Sequence, residues 1–136
     1  MININNYFQR WNSKRQQKKS SSLTDQGAFA FLEYNYEKAE KTFKKAASIN
    51  PSPFVDYIAA AVSAQKLKQY KNRDFYISKA KQTSDEAKIA VLYLQIHFFT
   101  ENKQWEFALD LIDELKAKST PNKYKKFFQI NNNIKF

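Results

Sequence analysis

Apolar and small residues recur along the chain with the spacing of an α-helix. After Asn35 they lie three, four and three residues apart, which places them on one side of a helix. The same spacing returns 34 residues later, and again 35 residues after that. The three sets are Tyr36, Ala39, Phe43 and Ala46; Tyr70, Arg73, Ile77 and Ala80; and Trp105, Ala108, Ile112 and Leu115. The pattern therefore predicts a repeated helical unit.

A second set of positions precedes each of these helices and follows the same period. Its members are Leu23, Gly27 and Ala30; Tyr57, Ala61 and Ala64; and Leu92, Ile96 and Phe99. Units of about 34 residues, each with two antiparallel helices, are typical of tetratricopeptide repeats, and the A-x3-F...P pattern of that repeat is present as Ala39, Phe43 and Pro51. The prediction is an all-α fold, a right-handed tetratricopeptide-like α-solenoid of about three helical hairpins plus a terminal helix.

Changes in composition divide the chain into a lead-in, repeats and a tail. Residues 1–19 are polar and basic, and we expect either a frayed end or a short amphipathic helix with Phe8, Trp11 and Arg15 on one face. Ser22 and Asp25 resemble a capping box, so the first repeat helix is expected to begin near Leu23. The repeats are predicted at 20–53, 54–87 and 88–120, with a terminal or capping helix and tail at 121–136.

Small residues at the predicted helix crossings allow two helices to approach closely, and larger ones fill the space between units. The small set is Gly27, Ala30, Ala39 and Ala46, and Phe43 and Ile77 are the expected large residues. Arg73 stands where a small residue is expected. We predict that its stem lies along the apolar surface while its guanidinium pairs with a neighbouring acid such as Asp74 or Asp110. The alternative is that the second unit is splayed apart at this position.

Charge and composition limit the classes of function. Lysine and arginine number 23 against 13 acids, a net charge of +10, and half of this excess lies in residues 1–20. No nucleic-acid motif accompanies the charge, so no specific nucleic acid is expected, although a basic arm can bind phosphates without sequence preference. The chain has no cysteine and therefore no disulfide or thiolate metal site. No apolar stretch approaches the roughly 20 residues of a membrane span.

Residues that could support catalysis do not form a recognisable set. His97 is the single histidine, and the one glycine excludes a G-x-G-x-x-G nucleotide fingerprint. Asp85 and Glu86 are expected at a helix start, and Asp110 and Asp113 on a solvated face. We therefore predict that the protein is not an enzyme and has no metal or cofactor site.

The first helix of each unit is expected to face the concave side of the array. Residues one step past the core positions point into that concavity, and several of them are apolar, which favours a groove for an extended peptide or a helix. The predicted groove residues are Phe31, Ile58, Val62, Gln65, Tyr93 and His97. The alternative is that the terminal helix or the amino-terminal tail covers this groove.

Several stretches resemble the HemY family, from about Phe8 to Phe128. They are GAFAFLEYNYEKAEKTFKKAA, PFVDYIAAAVSAQ, RDFYISKA and AVLYLQIHFFTENKQWEFALDLIDEL. The most particular is YIAAAVSAQ followed by Arg73 and Asp74, because arginine at that small-residue site is ordinary in this family. Members typically carry two transmembrane helices, a basic segment and then cytoplasmic tetratricopeptide repeats.

The resemblance implies a non-enzymatic protein linked to protohaem IX biosynthesis, anchored in the bacterial inner membrane and holding pathway enzymes together on the cytoplasmic side. On this interpretation the chain is a soluble piece of a longer protein, whose membrane contact lies in a region that this chain lacks. Two alternatives remain open. One is a haem or porphyrin carrier that uses His97, and the other is self-association through residues 121–136.

Overall fold

The chain is described by a computed structural model that covers residues 4–118, and this part is built from α-helices without strands. The helices are α1 (Ile4–Leu32), α2 (Tyr36–Ile49), α3 (Phe54–Lys66), α4 (Tyr70–Lys81), α5 (Asp85–Glu101) and α6 (Trp105–Lys118). The all-α prediction is therefore confirmed. The predicted terminal helix lies outside the described residues.

The first helix is much longer than the sequence predicted. Instead of beginning near Leu23, α1 runs without interruption from Ile4 through the three serines. The buried Ser20 hydroxyl donates to the Gln17 carbonyl oxygen at 3.0 Å, a bond within the helix itself. Serine side chains can satisfy a helix carbonyl in this way as readily as they cap a helix start. The boundary expected at residue 19 is thus not a helix boundary.

The turns within the three hairpins share one backbone conformation. Tyr34, Lys68 and Lys103 have positive φ angles of 63°, 59° and 58°. The following amide donates to the carbonyl five residues earlier, in the pairs Asn35 to Ala30 at 2.9 Å, Gln69 to Ala64 at 2.9 Å and Gln104 to Phe99 at 2.8 Å. This arrangement is a Schellman helix ending. Successive endings lie 34 and then 35 residues apart, which is the period of the apolar pattern in the sequence.

Replacing Lys68 with glycine is expected to raise the free energy of unfolding by up to about 1 kcal/mol. A left-handed conformation costs a side-chain-bearing residue about 1–2 kcal/mol, and glycine removes this cost while losing more chain entropy on folding. Urea denaturation measures the difference. Lys71→Gly, inside α4, is the matched control and should lower stability by about 1 kcal/mol. A loss of stability in Lys68→Gly would contradict the assigned turn.

The helices fall into two compact units, divided between Thr83 and Ser84. In the first unit α1 packs on α2, α2 on α3, and α3 on α4. The predicted close crossing of α1 and α2 is confirmed: a Cβ placed on Gly27 would lie 2.8 Å from the Phe43 ring. The alanines of the crossing are fully or almost fully buried, namely Ala30, Ala39 and Ala46.

The second unit contains the α5 and α6 hairpin, and α5 begins where the sequence predicted. The Ser84 side chain accepts a hydrogen bond from the Ala87 amide at 3.1 Å, which caps the helix. The core between the two helices consists of Leu92, Ile96, Ile112 and Leu115. Beside it the rings of Phe99 and Phe107 stack with their centroids 5.4 Å apart.

Candidate partner-binding groove

An apolar groove opens on the first unit between α1, α2 and α3. Its volume is about 320 Å³, and its walls are Ala28, Phe31, Leu32, Phe43, Ala59 and Val62. Polar atoms contribute nothing to the exposed lining. The groove thus presents an apolar surface to solvent within a part of the protein that packs as one compact unit.

Two contacts fix the aromatic walls of this groove. The Phe31 ring meets the Tyr36 ring edge-on with centroids 5.1 Å apart, across the turn between α1 and α2. The Phe43 ring lies against the bare Cα of Gly27, in space that any larger residue would fill. The groove wall therefore depends on the one glycine of the chain.

A buried carboxylate joins α1 and α3 on the same unit. Asp56 is completely buried, and its Oδ1 accepts a hydrogen bond from the Thr24 hydroxyl at 2.6 Å. Its Oδ2 accepts from the Asn50 side-chain amide at 2.8 Å. Asn50 in turn accepts from the Ser52 amide at 2.9 Å, which holds the turn before α3. These bonds set the position of α3 relative to α1, and so the width of the groove between them.

A second buried polar pair joins α2 and α4. The Tyr76 hydroxyl donates to the Glu40 carboxylate, and both side chains are almost completely buried. Burial, and then the hydrogen bond to Glu40 and its negative charge, raise the pKa of Tyr76 well above its ordinary value. The tyrosine thus remains a neutral donor at physiological pH, as the buried carboxylate requires.

Arg73 behaves as its sequence position predicted. Its side chain is 15% exposed, and its Nη2 lies 2.9 Å from the Asp74 carboxylate. Its Nη1 also donates to Gln65 Oε1 at 2.7 Å, and the guanidinium carbon lies 4.9 Å from the centre of the Tyr70 ring. The predicted pairing with Asp74 is confirmed. The contact with Gln65 is a finding of the structure, because no pattern in the sequence indicated it.

Some of the predicted groove residues belong to the first unit and others to the second. Phe31 and Val62 line the groove, and Ile58 is half-buried on the same helix as Val62. Gln65 is buried and its oxygen faces Arg73. The other two residues lie on α5 in the second unit, where Tyr93 packs against the hairpin core and His97 is exposed.

The wall also contains residues that the sequence analysis did not assign to the groove. Leu32 is 73% exposed at the end of α1, and Ala59 lies one position beyond Ile58 on α3. A leucine at the end of a helix is a sequence signal that could have indicated Leu32 as a groove residue. Ala59 carries no such signal, because it stands in a run of three alanines. Phe43 was expected to pack between repeat units. Its ring lies instead against Gly27 of the same hairpin, and it also lines the groove.

Metal-ligating residues are dispersed over the part of the chain that the structure describes. Within residues 4–118, no three side chains of histidine, cysteine, aspartate or glutamate converge on a point where a cation could bind. Over the same range, no helix combines the length and apolar character required to cross a bilayer.

Comparison with known protein families identifies a matching family. The family described as "HemY protein N-terminus" matches residues 1–68, which is half of the chain and includes α1, α2 and α3. The matched region thus contains all of the groove. No curated protein and no solved structure matches the chain.

Proposed function

The chain belongs to the HemY family, and on this premise we propose that it is a non-enzymatic scaffold that binds other proteins through the groove of its first unit. The partners are enzymes of the haem pathway, held on the cytoplasmic side of the inner membrane. The repeated hairpins form a tetratricopeptide-like α-solenoid in this proposal. The identical turns at intervals of 34 and 35 residues support that architecture.

The apolar groove is the observation on which the proposal rests. Its walls come from three successive helices, as expected of a surface that stacked hairpins present to a partner. An apolar lining of this kind suits the anchor residues of an amphipathic helix or of an extended segment. Each aliphatic or aromatic anchor that it buries contributes about 1.5–3 kcal/mol. Micromolar binding corresponds to about 8 kcal/mol, so it needs at least three such anchors, before the entropy cost of association is counted.

The groove is tested by placing a charge on its wall. In Val62→Asp, the partner's apolar side chains would have to bury a carboxylate, so affinity for any groove-bound enzyme should fall more than tenfold. Purified haem-pathway enzymes from the same organism, each immobilised for biolayer interferometry against the full chain, measure this. Circular dichroism shows whether the variant keeps its helical content.

Phe29→Asp is the matched control. Phe29 is 66% exposed on α1, only two residues from Phe31 but on the opposite side of the helix. Its replacement adds the same charge outside the groove, and binding should stay within about twofold of wild type. If a pathway enzyme binds Val62→Asp as tightly as wild type, the groove is not the binding site. If none of the enzymes binds wild type, the assignment of the partners is wrong.

A further inference from the structure

The first half of α1 differs from the rest of the described chain in charge and in exposure. Between Ile4 and Lys19 every residue is exposed, and the segment has five cations and no acid. Four large apolar side chains lie here, with exposed fractions of 51–78%. They are Ile4, Tyr7, Phe8 and Trp11. We refer to residues 4–19 as the basic arm.

The apolar and charged residues of the basic arm occupy one side of the helix. At about 100° per residue, the four apolar residues and four of the cations fall within an arc of about 140°. The cations on this arc are Lys14, Arg15, Lys18 and Lys19. The opposite side carries uncharged polar residues, among them Asn6, Ser13 and Gln17. Arg10 lies at the edge of the arc.

This side of the arm faces away from the rest of the first unit, except where Arg15, Lys18 and Lys19 border α2. Along the second half of α1 the buried positions are Ser20, Gly27 and Ala30, and they continue the uncharged side of the helix. The apolar and basic side thus projects outward. Its groups contact one another, since the Phe8 and Trp11 ring centroids are 5.9 Å apart and Arg15 lies 5.6 Å from the centre of the Trp11 ring.

A basic cleft adjoins the arm where α1 meets α2. It is an open concavity of about 490 Å³, and its walls hold four cations and no acid. The cations are Arg15, Lys18, Lys19 and Lys45. Lys45 belongs to α2, so the positive charge extends from the arm onto the hairpin and can accept an anionic group such as a phosphate.

We propose that the basic arm and the basic cleft bind the surface of a membrane containing anionic phospholipids. In this arrangement α1 lies along the bilayer surface, with Tyr7, Phe8 and Trp11 at the headgroup level and the cations against lipid phosphates. Charge complementarity selects anionic lipid, and the exposed aromatic side chains select a bilayer over a free phosphate. A second copy of the arm is a poor occupant, because it would face like charges. The proposal is independent of the groove.

The arm is tested by sedimentation of the full chain with vesicles of phosphatidylcholine, with and without phosphatidylglycerol. Binding should require phosphatidylglycerol and weaken as salt rises. Each cation near an anionic surface is worth about a fivefold change in affinity. The double variant Arg15→Ser/Lys18→Ser should therefore bind anionic vesicles with about 30-fold lower affinity. The control is Lys66→Ser/Lys68→Ser, which removes two exposed cations at and just after the end of α3. Its affinity for anionic vesicles should stay within about twofold of wild type.

The aromatic contribution separates lipid from nucleic acid. Phe8→Ser/Trp11→Ser should also lose vesicle binding at least tenfold, since both side chains leave water on binding. The variant Trp105→Phe keeps Trp11 as its only tryptophan. Its tryptophan fluorescence should shift to shorter wavelength when anionic vesicles are added, because Trp11 then leaves water. Failure to bind anionic vesicles, or equal binding to neutral ones, overturns the proposal. The proposal is also overturned if the chain binds a labelled DNA duplex instead of vesicles, and if Phe8→Ser/Trp11→Ser binds that duplex as tightly as wild type.

Discussion

Replacing Phe43 with alanine is expected to lower the free energy of unfolding of the first unit by about 3 kcal/mol. Phe43 is 5% exposed and fills the space between α2 and the bare Cα of Gly27. Truncating a packed phenylalanine costs about 3–5 kcal/mol, and the lower end applies because the groove already opens part of the site to solvent. Urea denaturation followed by circular dichroism measures the loss.

The partner substitution, Gly27→Ala, makes the prediction specific to this contact. A methyl group at Gly27 would lie 2.8 Å from the Phe43 ring, and overpacking of this kind costs about 1–3 kcal/mol. Alanine regains about 1 kcal/mol of helix propensity. The net expected effect is a loss of about 1 kcal/mol in wild type. In Phe43→Ala the ring is gone, and the same substitution should instead stabilise the protein by about 1 kcal/mol.

The change of sign is the decisive outcome of this double-mutant cycle. Ser21→Ala, at an exposed position of the same helix, serves as the control and should have effects within about 0.5 kcal/mol in both backgrounds. If Gly27→Ala stabilises wild type, the Phe43 ring does not lie against the glycine, and the wall of the groove is arranged differently.

Replacing Asp56 with alanine is expected to lower the free energy of unfolding of the first unit by about 3 kcal/mol. The Thr24 hydroxyl and the Asn50 amide lose a charged acceptor in a completely buried position. A hydrogen bond to a charged group contributes about 1.5–3 kcal/mol, so the loss of two of them accounts for the expected effect. The Thr24 hydroxyl keeps a second acceptor, the Ser20 carbonyl oxygen at 2.9 Å. Asp56 also lies in the first turn of α3, where a negative charge is favourable.

Thr24→Val tests how much of this stability comes from the hydrogen bond between Thr24 on α1 and Asp56 on α3. Valine removes the donor with little change in shape, so it should cost about 1 kcal/mol in wild type and much less in Asp56→Ala. Asp25→Ala, at the exposed neighbouring position, should change stability by less than about 0.5 kcal/mol. Equal costs of Thr24→Val in both backgrounds would show that Asp56 is stabilised by other groups.

Periodicity was sufficient to predict the helices of the repeats, because each helix buries one face against a neighbour. Each of the helices α2 to α6 contains the whole set of periodic positions from which it was predicted. The start of α1 could not be found in this way. The basic arm buries nothing within the described chain, and its short apolar period at Ile4, Tyr7, Phe8 and Trp11 does not continue to the serines. The serines themselves favour a helix cap as much as a helix in which their hydroxyls bond to carbonyls of the same helix.

Buried polar groups were the other part that the sequence could not reveal. Glu40 stands among lysines and glutamates that read as a solvated face, yet it lies buried beside Tyr76. Asp56 lies in the first turn of α3, where an acid is ordinary for the helix dipole alone. Such pairs join residues 32 to 36 positions apart, and the pattern along one helix does not show which polar residue faces a neighbouring helix. Phe31 and Val62 could be predicted as groove residues, because each is an apolar residue one position beyond a core position of its helix.

The uninterrupted α1 couples helix stability to bound anions. Arg10 and Lys14, Lys14 and Lys18, and Arg15 and Lys19 are like-charged pairs one helical turn apart, and each such pair opposes helix formation by about 0.2–0.5 kcal/mol. An anion that neutralises these pairs relieves the repulsion, and by thermodynamic linkage it binds the helical form of residues 4–19 more tightly than the unwound form. Ionic strength and polyanions thus become determinants of how much of α1 is helical.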